Sequence, residues 1–315
     1  MPWTTQLETD HRWLTADSHA PDHLLDANGR SLVGASGSTS GTGTGGSCQL
    51  GPFGSPEVIT GLGLDTFGLW GPSLSGDGLT LYFGVNETQG YEHIYRAKRT
   101  NRGPVFSAAE RVNELASSSS EGTPCISSDE LAIYFYSTRG NGSSNRDLWM
   151  ATRASIADSF GAPIALTVLN TANIDYEPWI SADERLLLFS SAGPSAQTGY
   201  DIWMTTRSDK SQAFPAAQRV TSLATTSDDQ RACLSRDGLT VYFASSRSGG
   251  LGLTDIWCAT RTDPLGDFGP AALVQGINSS ATDLDPMLSR DDTELFFTSA
   301  RGGLNKLYRV VRTCL

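Results

Sequence analysis

Four carboxylates recur along the chain at intervals of 54 residues, Glu121, Asp175, Asp229 and Asp283, and Glu177 and Asp285 follow the second and fourth of them by two positions. Carboxylates gathered at one place can hold a cation or present a focused negative rim to a basic partner. As a pair about 5–9.5 Å apart they can also cleave a glycosidic bond, and Glu121 and Asp175 are candidates for that chemistry. The competing explanation is structural. An Asp ahead of a strand accepts hydrogen bonds from the loop that leads into it, and such a device recurs in every copy of a repeat. A second polar set, Arg139, Arg247 and Arg301, stands in Gly-rich segments and is expected to offer exposed binding contacts. Nucleophilic sets are missing. His93 is the only histidine beyond residue 50, so a Ser/His/Asp or Cys/His arrangement has no natural base. His11, His19 and His23 lack the spacing of a metal site, and no HExxH, P-loop or zinc-type cysteine pairing is present.

A repeat places these side chains. The pairs Ser75/Asp77, Ser127/Asp129, Ser181/Asp183, Ser235/Asp237 and Ser289/Asp291 give Asp-to-Asp intervals of 52, 54, 54 and 54. Six residues after each Asp stands Phe83, Phe135, Phe189, Phe243 or Phe297, and two before each Phe an aliphatic, Leu81, Ile133, Leu187, Val241 or Leu295. Positions two apart share one face of a strand, so these columns predict a buried stripe. A Gly-rich turn of variable length follows. The next run carries Tyr95, Trp149, Trp203, Trp257 or Tyr308 and closes on Arg99, Arg153, Arg207, Arg261 or Arg312. A last short run opens with Phe53, Phe106, Phe160, Phe214 or Phe268. Each unit therefore holds four hairpin-connected strands, and no unit shows helical spacing of apolar residues. The predicted fold is all-β: a five-bladed β-propeller with four antiparallel strands per blade over residues 51–315.

The sequence past Arg312 is too short for a fourth strand in the last unit, while GPFGSPEVI, around Phe53 to Ile59, is a fourth strand without a unit. The N-terminal strand is expected to complete the C-terminal blade and so leave no open edge. Cys48 and Cys314 fall at the same repeat position beside this closure. A Cys48–Cys314 disulfide is expected there, which implies an oxidising compartment. Cys125, Cys233 and Cys258 read as packing residues. Residues 1–50 lie outside the repeat as a tail, and the run Gly34 to Ser47, GASGSTSGTGTGGS, has the composition of a flexible linker.

Composition narrows the partners. With 23 basic against 34 acidic side chains the formal charge is -11, which repels phosphate backbones and argues against nucleic acid. No apolar window is long enough for a transmembrane span, and residues 1–30 contain no apolar core of a signal peptide. The motif Ser-x-Asp-Gly, Leu-Thr-x-Tyr-Phe, Ser-x-Arg-x-Gly-Gly, Asp-Ile-Trp is clearest in LSRDGLTVYFASSRSGGLGLTDIW, Leu234 to Trp257. It resembles the WD-repeat-like propeller repeat of the TolB type, over residues 51–315. The resemblance implies the architecture and not one function, since such propellers serve as envelope scaffolds and as non-catalytic domains. The function expected here is a non-enzymatic scaffold that binds a protein or cell-envelope component through one rim, in the periplasm, at the outer membrane or secreted. SLVGAS also resembles a lipobox, with Ser36 in the place of the lipidated Cys. A monomer is expected, with no cofactor beyond a cation at the channel mouth. The alternative is a carbohydrate-active enzyme or lectin that uses the channel-mouth carboxylates.

Overall fold

The computed structural model describes residues 50–87, 90–140, 145–193 and 199–313. The tail, the linker and the Cys48–Cys314 pairing lie outside the described residues. The described strands form five four-stranded antiparallel sheets, the blades of a propeller. Blade I contains β2 (Gly68–Leu74), β3 (Thr80–Asn86), β4 (Glu92–Lys98) and β5 (Glu110–Arg111); blade II β6 (Glu121–Ile126), β7 (Ala132–Ser137), β8 (Asp147–Thr152) and β9 (Ile164–Ala165). Blade III contains β10 (Asp175–Ile180), β11 (Leu186–Ser191), β12 (Asp201–Thr206) and β13 (Gln218–Arg219); blade IV β14 (Asp229–Leu234), β15 (Thr240–Ser245), β16 (Asp255–Thr260) and β17 (Ala272–Leu273). Blade V is β18 (Asp283–Leu288), β19 (Glu294–Gly302), β20 (Leu304–Val311) and, from the other end of the chain, β1 (Glu57–Val58). The strand exchange expected from the sequence is thus observed. Among the described residues no helix is long and apolar enough to cross a membrane.

Burial falls off with distance from the axis. β6, β7, β10 and β18 are buried along their whole length, the third strands are partly exposed, and the fourth strands lie at the surface. Inner strands are covered on both faces by neighbouring blades, so the Phe and aliphatic columns are all buried. Each inner hairpin is tied by its Ser-x-Asp motif. The Ser75 hydroxyl donates to Asp77 at 2.6 Å, and Asp77 accepts from the Leu79 amide at 2.8 Å. The same serine-to-aspartate bond recurs in the other four hairpins. The closing arginine of every blade lies over the opening Phe of the next run, Arg99 on Phe106 at 5.1 Å and Arg207 on Phe214 at 4.1 Å. Arg312 completes the series over Phe53 at 4.8 Å, across the closure.

The clasp is a backbone ladder. Val58 pairs with Tyr308, the Gly54 amide donates to the Val311 carbonyl at 2.8 Å, and Ile59 donates to Leu307 at 2.8 Å. Beside it Glu294 of blade V accepts two bonds from Arg99 of blade I, at 3.0 and 2.6 Å, and one from Arg309 at 2.6 Å. All three side chains are nearly or fully buried. In the hairpins of blades II, III and V the closing arginine instead meets a tyrosine hydroxyl of the preceding blade, as Arg207 does with Tyr134 at 3.3 Å. Phe296 stands at that tyrosine position in blade V, and Glu294 supplies the acceptor that the ring lacks.

Candidate functional site

Glu121, Asp175, Asp229 and Asp283 are the first residues of the innermost strands, and each is 0% exposed. Their placement differs from the open acidic ring expected at the channel mouth. Each acid faces a serine of the second strand, Ser137, Ser191, Ser245 or Ser299, and ties down the loop that precedes its own strand. Asp229 accepts from the Thr225 amide and hydroxyl, both at 2.7 Å, and from Ser245 at 2.6 Å. Asp283 accepts from the Ser279 amide and hydroxyl at 2.6 and 2.8 Å, and Asp175 from the Thr171 amide and Ser191 hydroxyl, both at 2.5 Å. Glu121 accepts from Ser117 at 2.5 Å and meets Nδ1 of buried His93 at 2.9 Å. In blade I the acid and serine positions hold Leu69 and Val85, which pair directly. A serine without its acid would be a buried donor without an acceptor, and this blade has lost both partners together.

Arg139, Arg247 and Arg301 are not the free contacts that their Gly-rich loops suggested. Their side chains are only 15–22% exposed and lie against the column acids: Arg139 to Glu121 at 3.0 Å, Arg247 to Asp229 at 2.5 Å, Arg301 to Asp283 at 2.7 Å. Each is also stacked on aromatic columns, Arg247 over Phe243 and Trp257 at 4.8 and 5.5 Å, Arg301 over Phe297 and Tyr308 at 5.2 and 4.9 Å. Burial of the acids draws the cations in, because an unpaired carboxylate at these positions would be costly. Blade III has Gly193 at the arginine position, and there burial holds Asp175 above the ordinary carboxylate range.

The residues that do face the axis are two positions further on. Gly71, Thr123, Glu177, Arg231 and Asp285 sit at a register shift in each innermost strand, all with φ between 41° and 59°. The bulge turns them out of the ladder toward the centre. This ring breaks the five-fold symmetry. Arg231 reaches Glu177 at 2.5 Å on one side and Asp285 on the other, so a guanidinium of the chain itself stands between the two carboxylates. Burial pushes Glu177 up to about 8, against the attraction of Arg231. The residues around this ring line a space of about 40 Å³. Nearby, Tyr136 donates to half-buried Glu92 at 2.5 Å, Tyr176 to Gln230 at 2.5 Å, and Arg146 lies over both tyrosine rings at 4.8 and 5.4 Å. Periodicity alone could not show this ring, since regular alternation does not reveal which residue a bulge rotates. The one cue in the sequence was the acidic pair Glu177 and Asp285 just ahead of Pro178 and Pro286.

No family model and no curated protein matches the chain. Among solved structures it is similar to a protein assigned as TolB from Agrobacterium tumefaciens, at 18% identity over 73% of this chain and 69% of that one, with a TM-score of 0.49. It is also similar to an α-L-arabinofuranosidase from Podospora anserina solved with cellotriose, at 10% identity over 84% and 97% of the two chains and a TM-score of 0.55. The catalytic domain of an α-L-arabinofuranosidase from Coprinopsis cinerea gives 13% identity, 83% and 97% coverage and a TM-score of 0.53. At such identities the likeness is one of fold. The chain is a five-bladed β-propeller whose structural neighbours include TolB structures.

Proposed function

We propose that the chain is a non-enzymatic β-propeller that binds a protein or cell-envelope component through one rim. The ring that crosses the axis carries this reading, because Arg231 of the chain itself occupies it between Glu177 and Asp285. The space beside that ring is about 40 Å³, room for a few waters at most. At this level no room is left for a sugar ring between Glu177 and Asp285, which already face Arg231. Recognition then falls to the rim. The loops between second and third strands hold out Tyr91, Leu251 and Leu253, exposed at 42, 61 and 82%, and Leu304 at the start of β20 is 47% exposed. Apolar side chains presented this way suit docking to another macromolecule. On this reading Asp229, Asp283 and their arginines act as positioning residues that fix the docking loops, rather than as contacts. Placement in the envelope or outside the cell is supported by the Gly34–Ser47 linker composition and by the equivalent repeat positions of Cys48 and Cys314, which suit a disulfide.

The test is capture from a solubilised envelope extract by the immobilised full chain, beside a Leu251→Asp/Leu253→Asp variant. A partner retained by the wild type and lost by the variant is expected. Hydrolysis of glycosides, or specific binding on a glycan array, would overturn the reading in favour of carbohydrate chemistry.

A further inference from the structure

The opposite face of the ring, built from the Ser-x-Asp hairpins, holds a second cavity of about 750 Å³ between blades III, IV and V. That size suits a small organic molecule. Its lining includes the apolar side chains of Trp179, Leu234 and Leu288, and five arginines against three aspartates, a local excess of positive charge on a chain of net charge -11.

Two of those arginines occupy one repeat position. The residue between Ser and Asp is Gly76, Ser128 and Ala182 in blades I to III, but Arg236 and Arg290 in blades IV and V. The position looks toward the neighbouring blade near the axis: a Cβ on Gly76 would lie 2.4 Å from the Ser128 carbonyl oxygen, and the Ser128 hydroxyl donates to the Ala182 carbonyl at 3.3 Å. Three small residues thus leave room that two long cations share.

Arg290 is the unusual one. Its Nε and Nη2 are buried and have no hydrogen-bond partner among the described residues. The carboxylates of Glu184, Asp129 and Asp183 act on it only from beyond ion-pair distance, and burial draws it below the ordinary arginine value. Arginine stays charged even so. The Arg236 side chain is exposed, and no hydrogen bond or ion pair engages it among the described residues, while its amide donates to both oxygens of Asp292 at 3.1 Å. Asp183 and Asp237 are held by their own hairpins. A desolvated guanidinium with unfilled donors destabilises a fold unless a group of opposite charge completes it.

We propose that this cavity binds an organic anion, a carboxylate or phosphate on an apolar body, with Arg290 and Arg236 holding the anionic group and Trp179 and Leu234 beside the apolar part. The fork of a guanidinium matches both oxyanions. The proposal is independent of rim docking, which uses the other face.

The experiment is calorimetric titration of the full chain with phenyl phosphate, phenylacetate and inorganic phosphate, with phenol as the neutral control. Saturable binding of at least one aryl anion is expected, and no binding of phenol; the two aryl anions separate phosphate from carboxylate preference, and inorganic phosphate isolates the charged group. Arg290→Leu should weaken binding about tenfold or more and Arg236→Ala about threefold or more, since each removes a charge-assisted contact. Arg96→Ala, on the outer face, should change nothing. The anion should raise the melting temperature of the wild type and leave that of Arg290→Leu unmoved. Without anion, Arg290→Leu should melt no lower than the wild type, because it loses an unpaired buried cation. Absence of saturable binding by the folded chain at about 10 mM, weaker than even a millimolar site, or equal affinity in Arg290→Leu, would overturn the proposal. If Arg290→Leu does not fold, unchanged affinity in exposed Arg236→Ala would overturn it instead.

Discussion

The backbone amide of Gly71 donates a 2.9 Å hydrogen bond to the carboxylate of Asp285, 214 residues later, and so joins blade I to blade V at the axis. Gly71 is the only glycine of the axial ring, although the four other residues hold the same positive φ. Conformation therefore does not explain the glycine; space does. A Cβ there would lie 2.7 Å from the Thr123 Cα. Gly71→Ala should destabilise the propeller by about 1–3 kcal/mol through overpacking, read as a lower urea midpoint. A midpoint equal to the wild type's would show that the inner strands have slack.

Glu294 is the acceptor shared by Arg99 and Arg309 at the seam. Glu294→Ala leaves two buried guanidinium groups without their carboxylate and should cost about 3–5 kcal/mol. The same change at Glu110, an exposed residue that meets only Arg96 at 3.8 Å, should cost less than about 1 kcal/mol. Denaturant unfolding of the two variants makes the comparison.

Stability should depend on pH through Glu177. Its folded value of about 8 lies above the ordinary 4.5 because of burial. Between those values the folded chain keeps a proton that the unfolded chain releases, so this residue's contribution is present at the acid end and lost as pH rises through the window. Glu177→Gln removes the titration. The fall in unfolding free energy from about pH 5 to about pH 8 should be smaller in the variant than in the wild type; parallel profiles would exclude Glu177 as its source.

Blade I supplies a template for a double substitution in blade III. Asp175→Leu alone leaves the Ser191 hydroxyl and the Thr171 amide without their acceptor and should cost about 1–3 kcal/mol. Adding Ser191→Val recreates the Leu69/Val85 pairing. The double variant should be more stable than the sum of the singles predicts, by about 1 kcal/mol, in a double-mutant cycle of melts. Strict additivity would mean that the acid and serine act independently.

Cys48 and Cys314 should be joined in the chain isolated from its native source. Peptide mapping without reduction is expected to recover a linked pair, whereas alkylation of both thiols in unreduced protein would remove the support they give to an oxidising compartment.

The repeat made most of the architecture legible before any coordinates. Phe83 and its four equivalents marked the second strands, and Phe53 without a unit of its own marked the exchanged strand, because buried stripes and ring closure both leave periodic traces. The acids at Asp229 and Asp283 were visible as a column, but their direction was not. A side chain at the first residue of a strand can turn to the axis or to its own sheet, and the buried serine opposite decided it. Arg247 and Arg301 looked exposed because glycine-rich loops usually are; cross-strand pairing with an acid 18 residues earlier drew them in. Arg290 was not singled out, since with Arg236 it departs from symmetry at a position where blades I to III place unremarkable small residues.

The clasp between β1 and β20 bears on how the chain folds. Within blades I to IV the ladders join residues close in sequence, whereas Val58 and Tyr308 are brought together only when the whole ring has formed. Such a high contact-order step is slow, and the four local sheets have every reason to form ahead of it. Until it occurs, β20 offers an unpaired edge that matches the β1 segment of any other copy as well as its own. Concentrated refolding would therefore favour domain-swapped chains, each lending its first strand to the next, and dilution would favour the closed ring.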